Sequence, residues 1–378
     1  MSYPGTKGQK GPSDSVKILG EISGSVGNFG TVLPILLGAA LVSEVDLGAA
    51  LLFTGIWYIV MGIYYGIPIS VEPMKAIGAI AIAGELTCGE IAASGLILGA
   101  ALLVLGAGKG IGRLQGLIPE GVVRGVQLGL ALILIKTSAG LMIQDPIFSS
   151  VAIGVFLIFL LAKSWRSLPD VSILVVFAIG VGYGLITRGV PDIQPISMGI
   201  LPLPDPATFI WAGWHLVLPQ IPLTLTNASV AAALTAEDLY KRRIEPDRLC
   251  ITMGVMNLAS VPFGGFPLCH GSGGIAAHHR FGARTRISMA IGGSVLIIIA
   301  LFFAAPESLS LLPIGLFGAL LLFVGLELGR CGLRTDQPLL VSAIALLVLF
   351  TNPAAAFAAG FLLALARDRW AVKIGRGG

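Results

Sequence analysis

The sequence predicts an all-α polytopic membrane protein with fourteen transmembrane segments in a 7+7 inverted repeat, and three observations carry that prediction. Of the 378 residues, 55% are hydrophobic and only 12% charged, with a mean hydropathy of +0.91; a soluble domain carries roughly 25% charged residues. Apolar stretches follow one another along the whole chain. Prolines and glycines near several of them return at one fixed offset.

The first residues, MSYPGTKGQKGPSDSVK, are too polar and glycine-rich for a cleavable signal peptide, which needs an apolar core beside its basic end. They are expected to form a disordered cytoplasmic arm, residues 1–17. Apolar stretches then occupy about 18–43, 47–66, 68–84, 90–108, 119–139, 146–162, 170–187, 213–234, 248–261, 265–279, 286–304, 309–329, 335–350 and 352–366. Several are short for a ~20-residue helical span. Numbered alternately across a membrane from a cytoplasmic N-terminus, they leave 20 of the 24 Lys and Arg on the inner side, Arg188 outside, and Lys75, Arg124 and Lys136 within segments. The positive-inside rule describes that asymmetry, and a miscounted early span would destroy it. Both termini are therefore expected in the cytoplasm of a prokaryotic cell, with the protein in its inner membrane.

Seven stretches precede the 189–212 connection, expected to be an external loop, and seven follow it. The repeat units are thus 18–188 and 213–366, with 367–378 a cytoplasmic tail. Pro68 and Pro73 return as Pro262 and Pro267, where 262 − 68 and 267 − 73 both give 194, and Pro119 and Gly121 return as Pro313 and Gly315 at the same offset. An odd number of spans per copy turns the second copy upside down, as in many transporters.

Segments 3 and 10 occupy matching places in the two copies. They read PISVEPMKAIGAIAIA and PFGGFPLCHGSGGIAA, and both open on a P-x4-P frame. Proline suits the first turn of a helix but removes a backbone donor, and the residue before it prefers an extended conformation. Each segment is expected to be a short extended piece leading into a half-helix that starts near mid-membrane, where non-helical backbone is tolerated only inside protein or along a cavity. Two facing helix N-termini make an anion site. Lys75 falls in the first turn of one half-helix, and Cys269, His270, Gly271 and Ser272 in that of the other. Glu72 beside them either pairs with Lys75 or carries a proton in a transport cycle, and His270 is the second candidate proton carrier.

Segment 1 adds Asn28 and Thr31 among glycines, and segment 8 adds Gln220, Thr224 and Asn227 at i, i+4 and i+7 on one helical face. Such amide and hydroxyl groups line a polar cavity or bond neighbouring helices together. Glu21, Glu327 and Lys136 read as structural, and His278 and His279, ahead of a basic loop, as facing the cytoplasm. Cys88, Cys250, Cys269 and Cys331 lie apart without a CxxC pair, so no metal, cofactor or disulfide framework is expected. The net charge of +4 belongs to the loops and gives no sign of nucleic acid.

The blocks VEPMKAIGAIAIA, PLCHGSGGIAAHHRFGARTR, GSVGNFGTVLP and LPQIPLTLTNAS resemble the conserved blocks of the molybdate transporter branch of the SulP (sulfate permease-like) superfamily. The resemblance implies a core domain of segments 1–4 and 8–11, a gate domain of segments 5–7 and 12–14, and possible homodimers. It also implies an oxyanion substrate, molybdate first and sulfate second, held between half-helices 3 and 10. The candidate binding residues are Asn28, Thr31, Pro73, Met74, Lys75 and Ala76 in the first copy and Gln220, Thr224, Asn227, Leu268, Cys269, His270, Gly271 and Ser272 in the second. Glu72 stands where the family usually has Gln, and Asn28 where it usually has Asp. The chain ends soon after segment 14, which leaves no room for a STAS domain. The expected activity is secondary active oxyanion import with co-transported protons. A passive anion channel is the alternative from another class; a catalytic acid pair or His cluster expected of a membrane enzyme is not found in the sequence.

Overall fold

The computed structural model describes residues 14–111, 119–165, 172–190, 196, 199–302 and 311–375. Most of the N-terminal arm, residues 1–13, and parts of the loops near 112–118, 166–171, 191–198 and 303–310 lie outside the described residues. The first half comprises α1 (Asp14–Ser25), α2 (Phe29–Val42), α3 (Leu47–Tyr65), β1 (Glu72–Pro73), α4 (Lys75–Gly84), α5 (Cys88–Ala107), α6 (Glu120–Gln144), α7 (Pro146–Trp165) and α8 (Ser172–Arg188). The second half comprises α9 (Pro206–Tyr240), α10 (Pro246–Ser260), β2 (Leu268–Cys269), α11 (Ser272–Arg280), α12 (Arg286–Phe302), α13 (Ile314–Gly332), α14 (Pro338–Phe350) and α15 (Pro353–Gly375).

Six helices among the described residues are long and apolar enough to cross a membrane, and the chain is an integral membrane protein. The two P-x4-P segments are each a two-residue strand running into a short helix of ten or nine residues. Two expectations shift. The connection between the halves is helical from Pro206 onward, because Asp205 caps the amides of Ala207 and Thr208 and Pro206 fits the first turn. Helix α9 is also irregular: π-helical turns occupy Gly213–Val217 and Thr224–Ala231. Pro219 and Pro222 withdraw backbone donors there, and the Thr224 and Thr226 hydroxyls donate back to the carbonyls of Gln220 and Pro222.

The halves are related by a two-fold pattern. Helix α3 packs on α12, and its counterpart α10 packs on α5; α2 packs on α4, and α9 on α11; α14 packs on α6, and α7 on α13. Helices α6 and α13, counterparts of one another, share the most extensive contact, and β1 pairs antiparallel with β2. Exchanging each element for its counterpart returns the same pairs, as an inverted repeat requires. The elements sort into two bodies, a core of α1–α5 with α9–α12 and a gate of α6–α8 with α13–α15, meeting where α2 and α4 lie against α13 and α6.

Close glycine contacts let the core helices approach. A Cβ on Gly55 of α3 would stand 2.6 Å from the Gly293 carbonyl oxygen of α12, and one on Gly254 of α10 would stand 2.8 Å from that of Gly99 on α5. Gly99 and Gly293 are themselves 194 residues apart (293 − 99), so the repeat places the same device in both copies. Gly55→Leu is expected to part α3 from α12 and to cost about 3 kcal/mol through overpacking, read as a lowered melting temperature in detergent. Gly140→Leu, on a gate helix with open space around it, should leave that temperature nearly unchanged.

Candidate functional site

The site grows from a ribbon of two paired residues per strand. Glu72 stands opposite Cys269 and Pro73 opposite Leu268, and the Met74 amide donates to the Pro267 carbonyl at 2.9 Å. The prolines frame this short pairing, since Pro73 has no amide to offer a longer ladder. Neighbouring side chains take the remaining backbone groups. Asn257 of α10 works as a backbone substitute: its Oδ1 accepts from the Leu268 amide and its Nδ2 donates to the Leu268 carbonyl, both at 2.8 Å. Ser70 exchanges two bonds with Gly271, its Oγ accepting from the amide at 2.9 Å and donating to the carbonyl at 2.7 Å.

Helix α4 begins at Lys75 and α11 at Ser272, one on each side of this ribbon. The Lys75 ammonium lies 2.8 Å from Glu72 Oε1, and the Glu72 carboxylate is fully enclosed. That carboxylate also lies against Gly271, the residue capping α11, where a Cβ would run into it. The Glu72 carboxylate thus sits between the two half-helix starts, a position that helix dipoles and Lys75 make favourable for an anion.

Helix α9 touches both starts. Gln220 accepts from the Ala76 amide at 2.9 Å in the first turn of α4, while its Nε2 donates to Thr224. Asn227 accepts from the Ser272 hydroxyl at 2.6 Å in the first turn of α11. The spacing in the sequence placed these three side chains on one face; the π-helical stretch divides their work, two at one half-helix and one at the other.

Asn28 and Thr31 line a cavity of about 130 Å³ with Gly273, Arg280 and Glu327. On the other side of α11 a cavity of about 470 Å³ is lined by Arg124, Gln127, Asn227, Ser272 and Arg334. Met74, Ala76, Leu268 and Cys269 are buried in the ribbon and its surroundings. His270 turns into the core: Nδ1 donates to the Ser70 carbonyl at 2.8 Å and Nε2 lies 2.9 Å from the Thr252 hydroxyl, with Tyr65 against the ring. His278 also differs from expectation, being fully buried with Nδ1 donating to the Gly24 carbonyl. Packing α1 against α11 brings that carbonyl within reach of the ring nitrogen. Glu21 accepts from the amides of Arg284, Thr285 and Ser288 at the start of α12. Asn257, Ser70 and Thr252 were not singled out in the sequence, although a lone Asn within the apolar stretch ITMGVMNLAS is a signal.

This architecture, a two-fold pair of broken helices inside a core that leans on a gate, is the fold of the transmembrane domains of BicA and of Solute Carrier 26 family member A9. The chain resembles the transmembrane domain of the cyanobacterium bicarbonate transporter BicA with a TM-score of 0.60 and 16% identity, covering 92% of this chain and 97% of that one. Against the murine anion transporter Slc26a9 in its inward-facing state the TM-score is 0.68 at 14% identity, covering 96% of this chain and 69% of that one. The family profile described as "Molybdate transporter of MFS superfamily" matches residues 20–134 and 212–328. The chain belongs to that molybdate transporter family. Its relatives include Molybdate transporter 2 of Arabidopsis thaliana, 32% identical over 90% of this chain and 85% of that protein. Molybdate transporter 1 of the same plant is 31% identical over 91% and 87%. The two matched spans stand 192 residues apart at their starts (212 − 20) and 194 at their ends (328 − 134), in step with the prolines.

Asn257→Ala removes partners from a buried amide and a buried carbonyl of Leu268 together. The expected cost is about 3 kcal/mol, seen as a lower melting temperature, and Asn257→Asp should recover part of it by still accepting from the Leu268 amide.

Proposed function

We propose that this protein imports a tetrahedral oxyanion, molybdate before sulfate, by alternating access in the inner membrane of a prokaryotic cell, with protons as the coupling ion. On this reading fourteen segments cross the membrane as repeats 18–188 and 213–366, with both termini in the cytoplasm and two copies associating as a homodimer. The observation that carries the reading is the Glu72 carboxylate between the starts of α4 and α11, beside Lys75. A place that accommodates one carboxylate beside Lys75 and the helix N-termini suits an oxyanion as well, and the hydroxyl and amide groups of Ser272, Asn227 and Gln220 stand at the same two helix starts as further donors. The names of the curated relatives favour molybdate within that chemistry.

The anion would leave the site through cavities beside α11, whose far end carries Arg280 on the side assigned to the cytoplasm. Carrying a dianion against an inside-negative potential costs ~2.3 kcal/mol per charge per 100 mV, so uptake requires an accompanying cation. The candidate proton carriers in the ribbon differ in their surroundings: His270 has both ring nitrogens engaged, and Glu72 is held by Lys75.

Titration calorimetry of the purified protein should register saturable molybdate binding, with sulfate weaker. Lys75→Met is expected to weaken it by about 2 kcal/mol, roughly 30-fold. In vesicles, accumulation of molybdate driven by an imposed pH gradient separates a transporter from a channel, which only equilibrates the anion. Molybdate binding unaffected by Lys75→Met would place the site elsewhere.

A further inference from the structure

The cavity on the Asn28 side of α11 holds a carboxylate that its sequence context marked as structural. Glu327 belongs to α13, in the gate, yet it lines this cavity with core residues Asn28, Thr31 and Gly273. Its side chain is exposed there, and a Cβ on Gly273, in the first turn of α11, would lie 3.9 Å from its Oε1. The charges that act on it are Lys75 and Glu72 from across the core–gate boundary and Arg330 from its own helix, and Lys75 feels Glu327 in return. Arg280 of α11 lines the same cavity, whereas α2 and α8 present only uncharged groups to it. On α6, Arg124 is held by Glu120 and faces the other cavity, and Lys136 is exposed.

Lys75 therefore has two carboxylates to satisfy. Glu72 is enclosed, held at 2.8 Å and packed on Gly271, so its proton has no route to water while the ribbon stays paired. Glu327 opens on a cavity. With both ionised, the carboxylates acting on Lys75 exceed it by one, and a dianion approaching the half-helices meets the repulsion of Glu327. One proton on Glu327 removes that excess.

We propose that Glu327 is the proton-carrying group, protonated when the oxyanion sits beside Lys75 and deprotonated when it has left; this rests on the oxyanion-transport reading above. The step forms one O–H bond at a Glu327 carboxylate oxygen, with the proton delivered by hydronium in the cavity, and breaks it again on release to water. Each dianion then travels with at least one proton. Because Glu327 and Lys75 stand on different bodies, the same proton weakens an attraction that ties gate to core, so loading and release of the core are linked.

Calorimetry of molybdate binding to the full-length protein, in buffers of differing ionisation enthalpy, counts protons directly. The wild type is expected to take up about one proton per molybdate above the Glu327 pKa, and its affinity to fall about 10-fold per pH unit there. Glu327→Gln should take up none, hold a pH-independent affinity, bind at least 10-fold more tightly than wild type at pH 8, and exchange molybdate across vesicles without accumulating it under a pH gradient. Should that variant not fold, Glu327→Asp is expected to move the pH midpoint of binding. No proton uptake by the wild type, wild-type pH dependence in Glu327→Gln, or an unmoved midpoint in Glu327→Asp each overturns the proposal. Absence of molybdate binding by the wild type at every pH overturns the transport reading itself, and this inference with it.

Discussion

Everything at the centre of this protein depends on the antiparallel pairing of two residues from one half with two from the other. Breaking a helix inside an apolar layer strands backbone donors and acceptors, each of which costs several kcal/mol if left alone. Here the break in one copy supplies partners for the break in the other: Met74 donates to Pro267, and the strands face each other over Glu72, Pro73, Leu268 and Cys269. Ser70 and Asn257 finish the accounting from the side. Each interruption draws part of its partners from the other half, so the duplication and the broken helices are one solution.

Charge follows from that pairing. The ribbon delivers Glu72 to the cap of α11 and Lys75 to the first turn of α4, so a buried acid and a partly buried base neutralise each other where two helix starts converge. Burying either charge alone would be strongly unfavourable. The pair leaves the region near neutral and rich in donors, which on the reading proposed above is the state an oxyanion exploits.

Much of this was legible in the sequence. Each apolar stretch of the sequence overlaps a helix of the structure, and the 194-residue offset of the prolines marks elements that are counterparts in space. Prolines report backbone constraints, and backbone constraints are local, so they survive the passage from sequence to fold. Side-chain direction is not local. His270 lies in the motif that pointed to the site, yet it turns to Thr252 and Ser70 because the residues on either side of it are committed to ribbon and helix. His278 is buried against α1 by a packing that no loop charge foretells. Glu327 sits in a stretch with no motif at all, and only the closeness of α13 to α11 and α2 brings it to the cavity. In α9, i, i+4, i+7 spacing assumed a regular helix, and the π turns redirect Asn227 to a second partner.

Helix α9 reaches one half-helix through Gln220 and the other through Asn227, so three segments of the core are fastened to one another around a common point. An enclosure whose walls are fastened together offers the same donors at the same separations to a solute arriving from either face. On the transport reading proposed above, preference among anions would then be a fixed property of the enclosure, alike for entry and exit, while direction would be decided only by which face of the gate is open.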